Sequence, residues 1–430
     1  MNALLYTLGV FALILILARL KLPLALSIAT GAFIIGFLFG LDAGQVVLTA
    51  LTGAVQPQTI GLVVVTMLIL SLSAIMQAAG QFTEIVSLAK LLVRRPAVAM
   101  AALPALIGLL PMPGGALFSA PMVETAAADS KVSGSVLSAI NYWFRHIWEH
   151  WWPLYPGVML AMTLTGLSYA RFAAFQIPMG IFMLLTGLLL FRKTHPDLHI
   201  KSSVPPAGTK RRFLLATFPI WIVMLVWGPV KYLMSLLILP LLPSSLEPTV
   251  DKYLPLAIAL ITSIACIVAS KKLTLSAVAK SINRKSNYKI ACLVISVMAF
   301  QYMLSHVGAA VQIADELIQL KVPVVLVVAT LPFIAGMVTG LAIGFVGTSF
   351  PIVLALVAAL PDHGSMYPYV ALAYGFGHMG QMVSPLHLCH VVSNEYFKTG
   401  FNDVYRRLIP AIVLDVVLVA AYFTILKIII

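Results

Sequence analysis

Four ionisable residues lie close together in the sequence and have side chains that can bind an ion or exchange a proton: Arg145, His146, Glu149 and His150. Their spacings of one, three and four residues predict that they share one face of a helix. Arginine stays charged and binds a carboxylate through two hydrogen bonds, so Arg145 is the predicted anion ligand. The alternatives for Arg145 are an internal salt bridge to Glu149 and a loop-edge position. Glu149 and His146 can pass a proton between them.

The elements that position these residues lie in an unusually apolar chain. Of its residues, 61% are hydrophobic and 10% are charged, whereas soluble domains are nearer half and a quarter. The formal charge of +13 comes from basic residues in short loops between apolar runs, a pattern typical of membrane proteins and not of nucleic-acid binding. The three cysteines stand alone and form no C-x-x-C pair. The first apolar run has no charge before it and is followed by Arg19 and Lys21, so we expect a retained helix.

A fixed offset of 232 residues relates the two halves of the chain. The segment Leu22-Pro23-Leu24-Ala25 recurs as Leu254-Pro255-Leu256-Ala257. The basic loop 271–288 corresponds to a weakly acidic region around Asp42, so the two halves are predicted to face opposite sides of the membrane, as inverted repeats do. The same offset pairs Gly108 with Gly340, Gly115 with Gly347, Tyr142 with Tyr374, His146 with His378 and Pro153 with Pro385.

The segment from His146 to His150 also matches H-x-x-E-H, in which two histidines bind zinc and the glutamate acts as a base. The second half has Gln381 and Met382 in place of Glu149 and His150, and no third ligand is evident. An intramembrane zinc metallopeptidase is therefore the less favoured hypothesis. We predict no catalytic residue, no metal site and no enzyme activity.

The predicted fold is an all-α polytopic membrane protein with about ten transmembrane helices and two re-entrant hairpins, in two inverted-topology repeats. The first repeat covers residues 1–191, with three spans, a hairpin at 97–130, a broken span at 134–168 and a span at 172–191. A cytoplasmic basic linker follows at 192–212. The second repeat covers 213–430, with three spans, a hairpin at 322–361, a broken span at 367–397 and a span at 408–429.

Each repeat contains segments in which proline and glycine must break a helix. Pro111-Met112-Pro113-Gly114-Gly115 is the predicted tip of the first hairpin, and Gly344–Ser349 that of the second. Both tips are expected near the membrane midplane, with kinked ordinary helices as the alternative. The following spans break at 151–156 and 382–387, where carbonyls suit a cation and helix N-termini suit an anion.

This order of spans, hairpins and broken spans resembles the ion-transporter superfamily, whose branches carry dicarboxylates, citrate, gluconate, arsenite, or sodium and protons. The segments Pro111–Gly115, Ser384–Cys389 and Asn394–Phe397 look most like an uncharacterised branch of it. The sodium-coupled dicarboxylate branch carries a Ser-Asn-Thr type signature at both tips. Here only the second tip offers hydroxyls, Thr348 and Ser349, so the resemblance does not imply a symmetric pair of sodium sites.

The resulting prediction is a secondary active transporter that moves a small, carboxylate-like organic anion across the cell inner membrane by alternating access. Protons or Na⁺ would be the coupling ion, and no other cofactor is expected. A sodium/proton antiporter is the alternative, and a channel is less favoured because dead-ended hairpins form no continuous pore. The expected partners are the lipid bilayer and the anion, with no nucleic acid. A homodimer is the protein assembly that stays open. Both termini are expected outside.

The candidate site residues come from the broken segments and the spans beside them. The predicted substrate-binding residues are Arg145, His146, Gly114, Gly115, Thr348, Ser349, His378 and Ser384, and the predicted coupling-ion or proton residues are Glu149, His150, Asn141, Gly347 and His387.

Overall fold

Helices make up nearly all the regular structure of the computed structural model. It describes residues 2–93, 96–109, 111–112, 115–127, 132–192, 205–309, 311–313, 316, 323–358, 360 and 365–430, and no strand occurs in them. The helices are α1 (Ala3–Arg19), α2 (Leu24–Leu38), α3 (Ala43–Val55), α4 (Pro57–Ala78), α5 (Gln81–Leu92), α6 (Pro96–Gly108), α7 (Ala116–Ala126), α8 (Gly134–Arg145), α9 (Pro156–Thr165), α10 (Tyr169–Arg192), α11 (Thr209–Leu237), α12 (Glu247–Ser270), α13 (Leu275–Ile282), α14 (Lys285–His306), α15 (Val324–Thr339), α16 (Ala342–Ala358), α17 (Met366–Val383), α18 (Leu388–Tyr396) and α19 (Phe401–Ile429).

Long apolar helices confirm the all-helical class. Within the described residues, 6 helices have the length and composition to cross a membrane. Leu214, Leu215 and Leu225 on α11 are exposed, as expected of side chains that face lipid. The larger count of about ten spans stays a prediction. The 6 helices are Pro57–Ala78, Tyr169–Phe191, Thr209–Leu241, Glu247–Ser270, Lys285–His306 and Phe401–Ile429.

Short helices occupy regions that the sequence led us to treat as loops. Asp42 caps the start of helix α3. Its carboxylate accepts a hydrogen bond from the Gln45 backbone at 2.8 Å, and the Gln45 side chain accepts one from the Asp42 backbone at 3.0 Å. This reciprocal capping box stabilises the start of α3. Helix α13 likewise lies within the basic loop 271–288 and is capped by Thr274.

The turn of the second hairpin lies at Gly340, so the predicted tip at Gly344–Ser349 is wrong. Gly340 has φ +63° and ends α15 in the left-handed conformation that favours glycine. Gly344 and Gly347 lie inside α16, where a Cβ on Gly347 would overlap Val297. These two glycines therefore permit close helix packing and do not form the turn.

The first hairpin turns between α6 and α7, around Pro111, Met112 and Gly115, as predicted. Pro113 and Gly114, which are part of the predicted tip, lie outside the described residues.

Both spans that follow the hairpins are broken, but the first breaks earlier than predicted. Helix α8 ends at Arg145, and a series of turns runs from His146 to Tyr155 before α9 begins. The backbone N–H of Glu149 donates to the carbonyl of His146 at 3.1 Å, a tighter turn than that of an α-helix. The expectation that residues 145–150 share one helix face is therefore wrong. In the second broken span, Ser384–His387 separates α17 from α18.

Candidate functional site

The breaks of both spans and the turns of both hairpins border one cavity of about 150 Å³. The cavity lining includes Met112 from the first hairpin, Leu341 from the second, Arg145 and Glu149 from the first broken span, and Gln381, His387 and Cys389 from the second.

Two further cavities lie towards opposite ends of the helices. A cavity of about 250 Å³ shares Pro111 and Met112 with the central cavity and extends to Gln77 and Arg284. Another, of about 420 Å³, is lined by Thr163 and Lys252. On that side the Thr163 and Tyr253 hydroxyls are hydrogen-bonded at 2.5 Å, and Lys252 Nζ donates to the Met162 carbonyl at 3.2 Å. The cavity of about 250 Å³ therefore adjoins the central cavity directly, at Pro111 and Met112. Hydrogen-bonded side chains lie beside the cavity of about 420 Å³ at the other end.

Arg145, the last residue of α8, is 3% exposed. Its Nη2 donates to the Met112 carbonyl at 3.1 Å, and Nη1 has no hydrogen-bond partner among the described residues. A Cβ on Gly115 would overlap the guanidinium, so the absence of a side chain there makes room for Arg145. No salt bridge joins Arg145 to Glu149 within the described residues. Arg145 is thus a buried cation with an unused donor at the cavity.

Glu149 lies between two histidines that the repeat offset pairs. Its Oε1 is 3.8 Å from His146 Nε2, and its Oε2 is 3.7 Å from His378 Nε2. Oε2 also accepts a hydrogen bond from Gln381 Nε2 at 2.7 Å. The predicted closeness of Glu149 to His146 is therefore present, although it arises from turns and not from a helix face, and His378 joins them from the second half. A carboxylate between two imidazoles is suited to store or pass protons.

Contacts around Glu149 are reciprocal between the two halves. Glu149 and Gln381 are themselves separated by 232 residues. The Tyr374 hydroxyl donates to the Glu149 carbonyl at 2.7 Å, and the Tyr142 hydroxyl lies 3.4 Å from the Gln381 carbonyl. Tyr142 and Tyr374 are separated by the same offset. Residues that are separated by 232 positions therefore contact each other at this point.

A third group of side chains comes together beside Arg145. One ligand atom each of His146, His387 and Cys389 lies within 4.8 Å of the others, and all three residues are buried. Among the described residues this is the set with ligand types and spacing that suit a metal ion. His150 instead packs its ring 4.1 Å from that of His378, so this set does not contain the His146–His150 pair of the zinc-peptidase pattern.

Several predicted site residues have other contacts. The hydroxyls of Thr348 and Ser349 donate to the carbonyls of Gly344 and Phe345 within α16, at 2.9 and 2.6 Å. Asn141 Nδ2 donates to the Ser393 hydroxyl at 2.8 Å. The Ser384 hydroxyl accepts from the Leu386 backbone at 3.2 Å. Substrate or ion roles for these residues and for Gly347 stay predictions.

Sequence reasoning missed three residues of the site. The sequence indicates Gln381 only as the residue that stands in place of Glu149 in the second half, yet its side-chain amide donates a hydrogen bond to the Glu149 carboxylate. Cys389 lies between His387 and His390, and this short run of histidine and cysteine could have indicated a metal ligand. Tyr155 donates its hydroxyl to the Gly108 carbonyl and so fixes the first broken span on α6. The repeat offset, which pairs Gln381 with Glu149, is the feature of the sequence that could have indicated Gln381.

If Arg145 binds an anion, we expect Gly115→Ala to weaken that binding about tenfold, because the new methyl group displaces the guanidinium and costs about one charge-assisted hydrogen bond. Binding is measured by isothermal titration of the purified protein. Gly9→Ala is the matched control, since a Cβ on Gly9 meets nothing within 4 Å. Unchanged binding by a folded Gly115→Ala variant would show that the position of Arg145 is not needed.

Comparison with known proteins gives a fold relative and a family. The chain is similar in structure to the YdaH transporter of Alcanivorax borkumensis, described as having an unusual topology, with a TM-score of 0.54 at 15% identity over 90% of this chain and 89% of that one. At this identity the likeness concerns the fold. No curated protein matches the chain in sequence. Residues 2–426 match the model of a family described as a protein of unknown function, DUF401, and the chain therefore belongs to the DUF401 family.

Proposed function

We propose that this protein is a secondary active transporter for a small, carboxylate-like organic anion. The observation that carries the proposal is Arg145, a buried cation with an unpartnered Nη1 at the edge of a small central cavity. A buried charge without a partner is costly, so a site that keeps one is expected to receive its partner from a ligand. A planar guanidinium matches a carboxylate in shape and charge.

The ends of three helices add to the attraction for an anion. Helices α9, α16 and α18 begin at the cavity, with Gly157, Ile343 and Cys389 in its lining. The first N–H groups of a helix lack partners within the helix, and its dipole favours negative charge at that end. Glu149 is the carboxylate that lines the cavity among the described residues. A sodium/proton antiporter would more naturally have paired carboxylates, so this single acid favours an anion carrier.

Proton coupling through Glu149, His146 and His378 fits this arrangement, since their charges can change within one contact network. The reciprocal contacts of Tyr142 and Tyr374 support two inverted repeats whose relative movement exposes the cavity to each side in turn. The fold relative is a transporter by its description, which agrees with the proposal. Assignment to the ion-transporter superfamily remains part of the proposal.

The test is uptake into proteoliposomes that contain the purified protein. Mono-, di- and tricarboxylates that raise the Tm in a thermal-shift screen are supplied with a proton gradient, a Na⁺ gradient or neither. We expect at least one acid to accumulate under a proton gradient. Dissipation of a proton gradient by Na⁺ alone, with no acid bound or transported, would replace the proposal with the antiporter.

The predicted topology gives a second test. At one end of the helices Lys271 pairs with Glu84 at 2.8 Å and Arg284 donates to Gln77 at 2.9 Å. We expect this end to face the cytoplasm. A cysteine at the exposed Lys280 should then react with a membrane-impermeant maleimide only after cells are opened.

The matched control is a cysteine at Ser244, which is exposed and lies in the loop between α11 and α12. We expect that position to react in intact cells, and unmodified protein gives the background from native cysteines. Labelling of position 280 but not 244 in intact cells would reverse the topology.

A further inference from the structure

We infer that His146, His387 and Cys389 form a binding site for a transition-metal ion of the zinc class. Their ligand atoms lie within 4.8 Å of one another inside the protein. The inference concerns metal binding itself and does not depend on whether the chain transports an anion.

The hydrogen bonds of His146 prepare it as a ligand. Its Nδ1 lies 2.6 Å from the carbonyl of Tyr142, which can only accept, so Nδ1 carries the proton. Nε2 is then left with a free lone pair, and it has no hydrogen-bond partner among the described residues although the side chain is 1% exposed. Histidines that bind metals commonly donate their other nitrogen to a backbone carbonyl in this way.

His387 and Cys389 are brought to the same place by the break between α17 and α18. His387 Nδ1 lies 3.1 Å from the Tyr142 hydroxyl and 3.4 Å from the Gln381 carbonyl. The His387 ring lies 4.7 Å from the His146 ring, at an angle of 83°. The Cys389 sulfur lies within 4.8 Å of one ring nitrogen of each histidine. Tyr142 thus holds both histidines, one through its carbonyl and one through its hydroxyl.

The geometry needs only a small contraction. A tetrahedral zinc ion with Zn–N near 2.0 Å and Zn–S near 2.3 Å places its ligand atoms about 3.5 Å apart, compared with the 4.8 Å limit here. Side-chain rotations of His387 and Cys389 can close that gap.

The ligand types select the metal. Imidazole and thiolate suit Zn²⁺ and Co²⁺, whereas Mg²⁺ and Ca²⁺ prefer oxygen ligands. A Cys389 thiolate supplies one of the two negative charges that balance such an ion.

The test uses Co²⁺ as a spectroscopic probe of the purified, full-length protein. We expect one Co²⁺ per chain, with the near-ultraviolet charge-transfer band of a cobalt–thiolate bond. The variant that carries both Cys266→Ser and Cys292→Ser leaves Cys389 as the remaining cysteine without altering the site. We expect this variant to keep the full band, and Zn²⁺ to displace the Co²⁺ and abolish it.

Substitutions of the ligands complete the assignment. We expect Cys389→Ser to lose the band, and His146→Gln and His387→Gln each to weaken Co²⁺ binding at least about tenfold. His306→Gln, at the end of α14, is the matched control and should bind as the wild type does. Absence of the band from the double-cysteine variant, which needs no change in the site, would overturn the inference.

Discussion

Replacing Arg145 with glutamine is expected to weaken binding of the transported anion about tenfold to a hundredfold. A charge-assisted hydrogen bond contributes about 1.5–3 kcal/mol, and each 1.4 kcal/mol is about tenfold in affinity. Arg145→Lys keeps the charge but loses the paired donors of the guanidinium, so we expect a smaller loss, of about tenfold. Affinity is measured by isothermal titration with the acid identified in the thermal-shift screen. Arg171→Gln, an exposed arginine at the start of α10, is the matched control.

The stability of the same variants distinguishes a binding role from a structural one. If Arg145 existed to neutralise Glu149, Arg145→Gln would leave a buried charge and lower the Tm, and adding Glu149→Gln would restore it. The structure gives the Glu149 carboxylate other neighbours, His146, His378 and Gln381. We therefore expect the Tm of Arg145→Gln to stay close to the wild type. A low Tm that the double variant restores, with normal anion binding, would make Arg145 a structural residue.

The sequence was sufficient to predict which elements border the central cavity, but not where their turns lie. Glycine and proline content indicates that a helix breaks, since both lower helix stability. It does not distinguish Gly340, which needs a positive φ, from Gly347, which only has to be small against Val297. That difference depends on tertiary neighbours that lie far away in the chain. The second turn was therefore placed several residues too late.

The same limit explains why the central contacts could not be predicted in full. An offset of 232 pairs residues along the chain, but it does not indicate which of these pairs are in contact. Glu149 and Gln381 are in contact, at 2.7 Å, and the offset by itself gives this pair no preference over the others. Cys389 shows the limit more clearly, because its equivalent is Gly157 and repeat logic gives it no role. Its place in the inferred metal site comes from the break between α17 and α18, which brings Cys389 close to His146.

Glu149→Gln is expected to abolish accumulation driven by a proton gradient and to lower uptake about a hundredfold. Glutamine nearly matches glutamate in shape, and it can still accept the hydrogen bond from Gln381. It cannot bind or release a proton, and it cannot balance a charged His146 or His378. Glu84→Gln is the matched control, because Glu84 pairs with Lys271 at the surface, where ion pairs contribute about 1 kcal/mol or less. Uptake into proteoliposomes is measured with and without an imposed proton gradient.

The exchange of the two central residues tests whether the position or the charge matters. Glu149→Gln combined with Gln381→Glu moves the carboxylate across the contact by one hydrogen bond, and the total charge is unchanged. The Gln381 side chain lies one hydrogen bond, 2.7 Å, from the Glu149 carboxylate, which itself lies 3.8 and 3.7 Å from the two histidines. We expect this double variant to regain proton-driven uptake to within about tenfold of the wild type, since the contact network is re-formed with its charge. Proton-driven uptake that survives in the single Glu149→Gln variant would show that the coupling proton is carried elsewhere. A folded double variant with no uptake would show that the carboxylate must belong to the first broken span, beside Arg145.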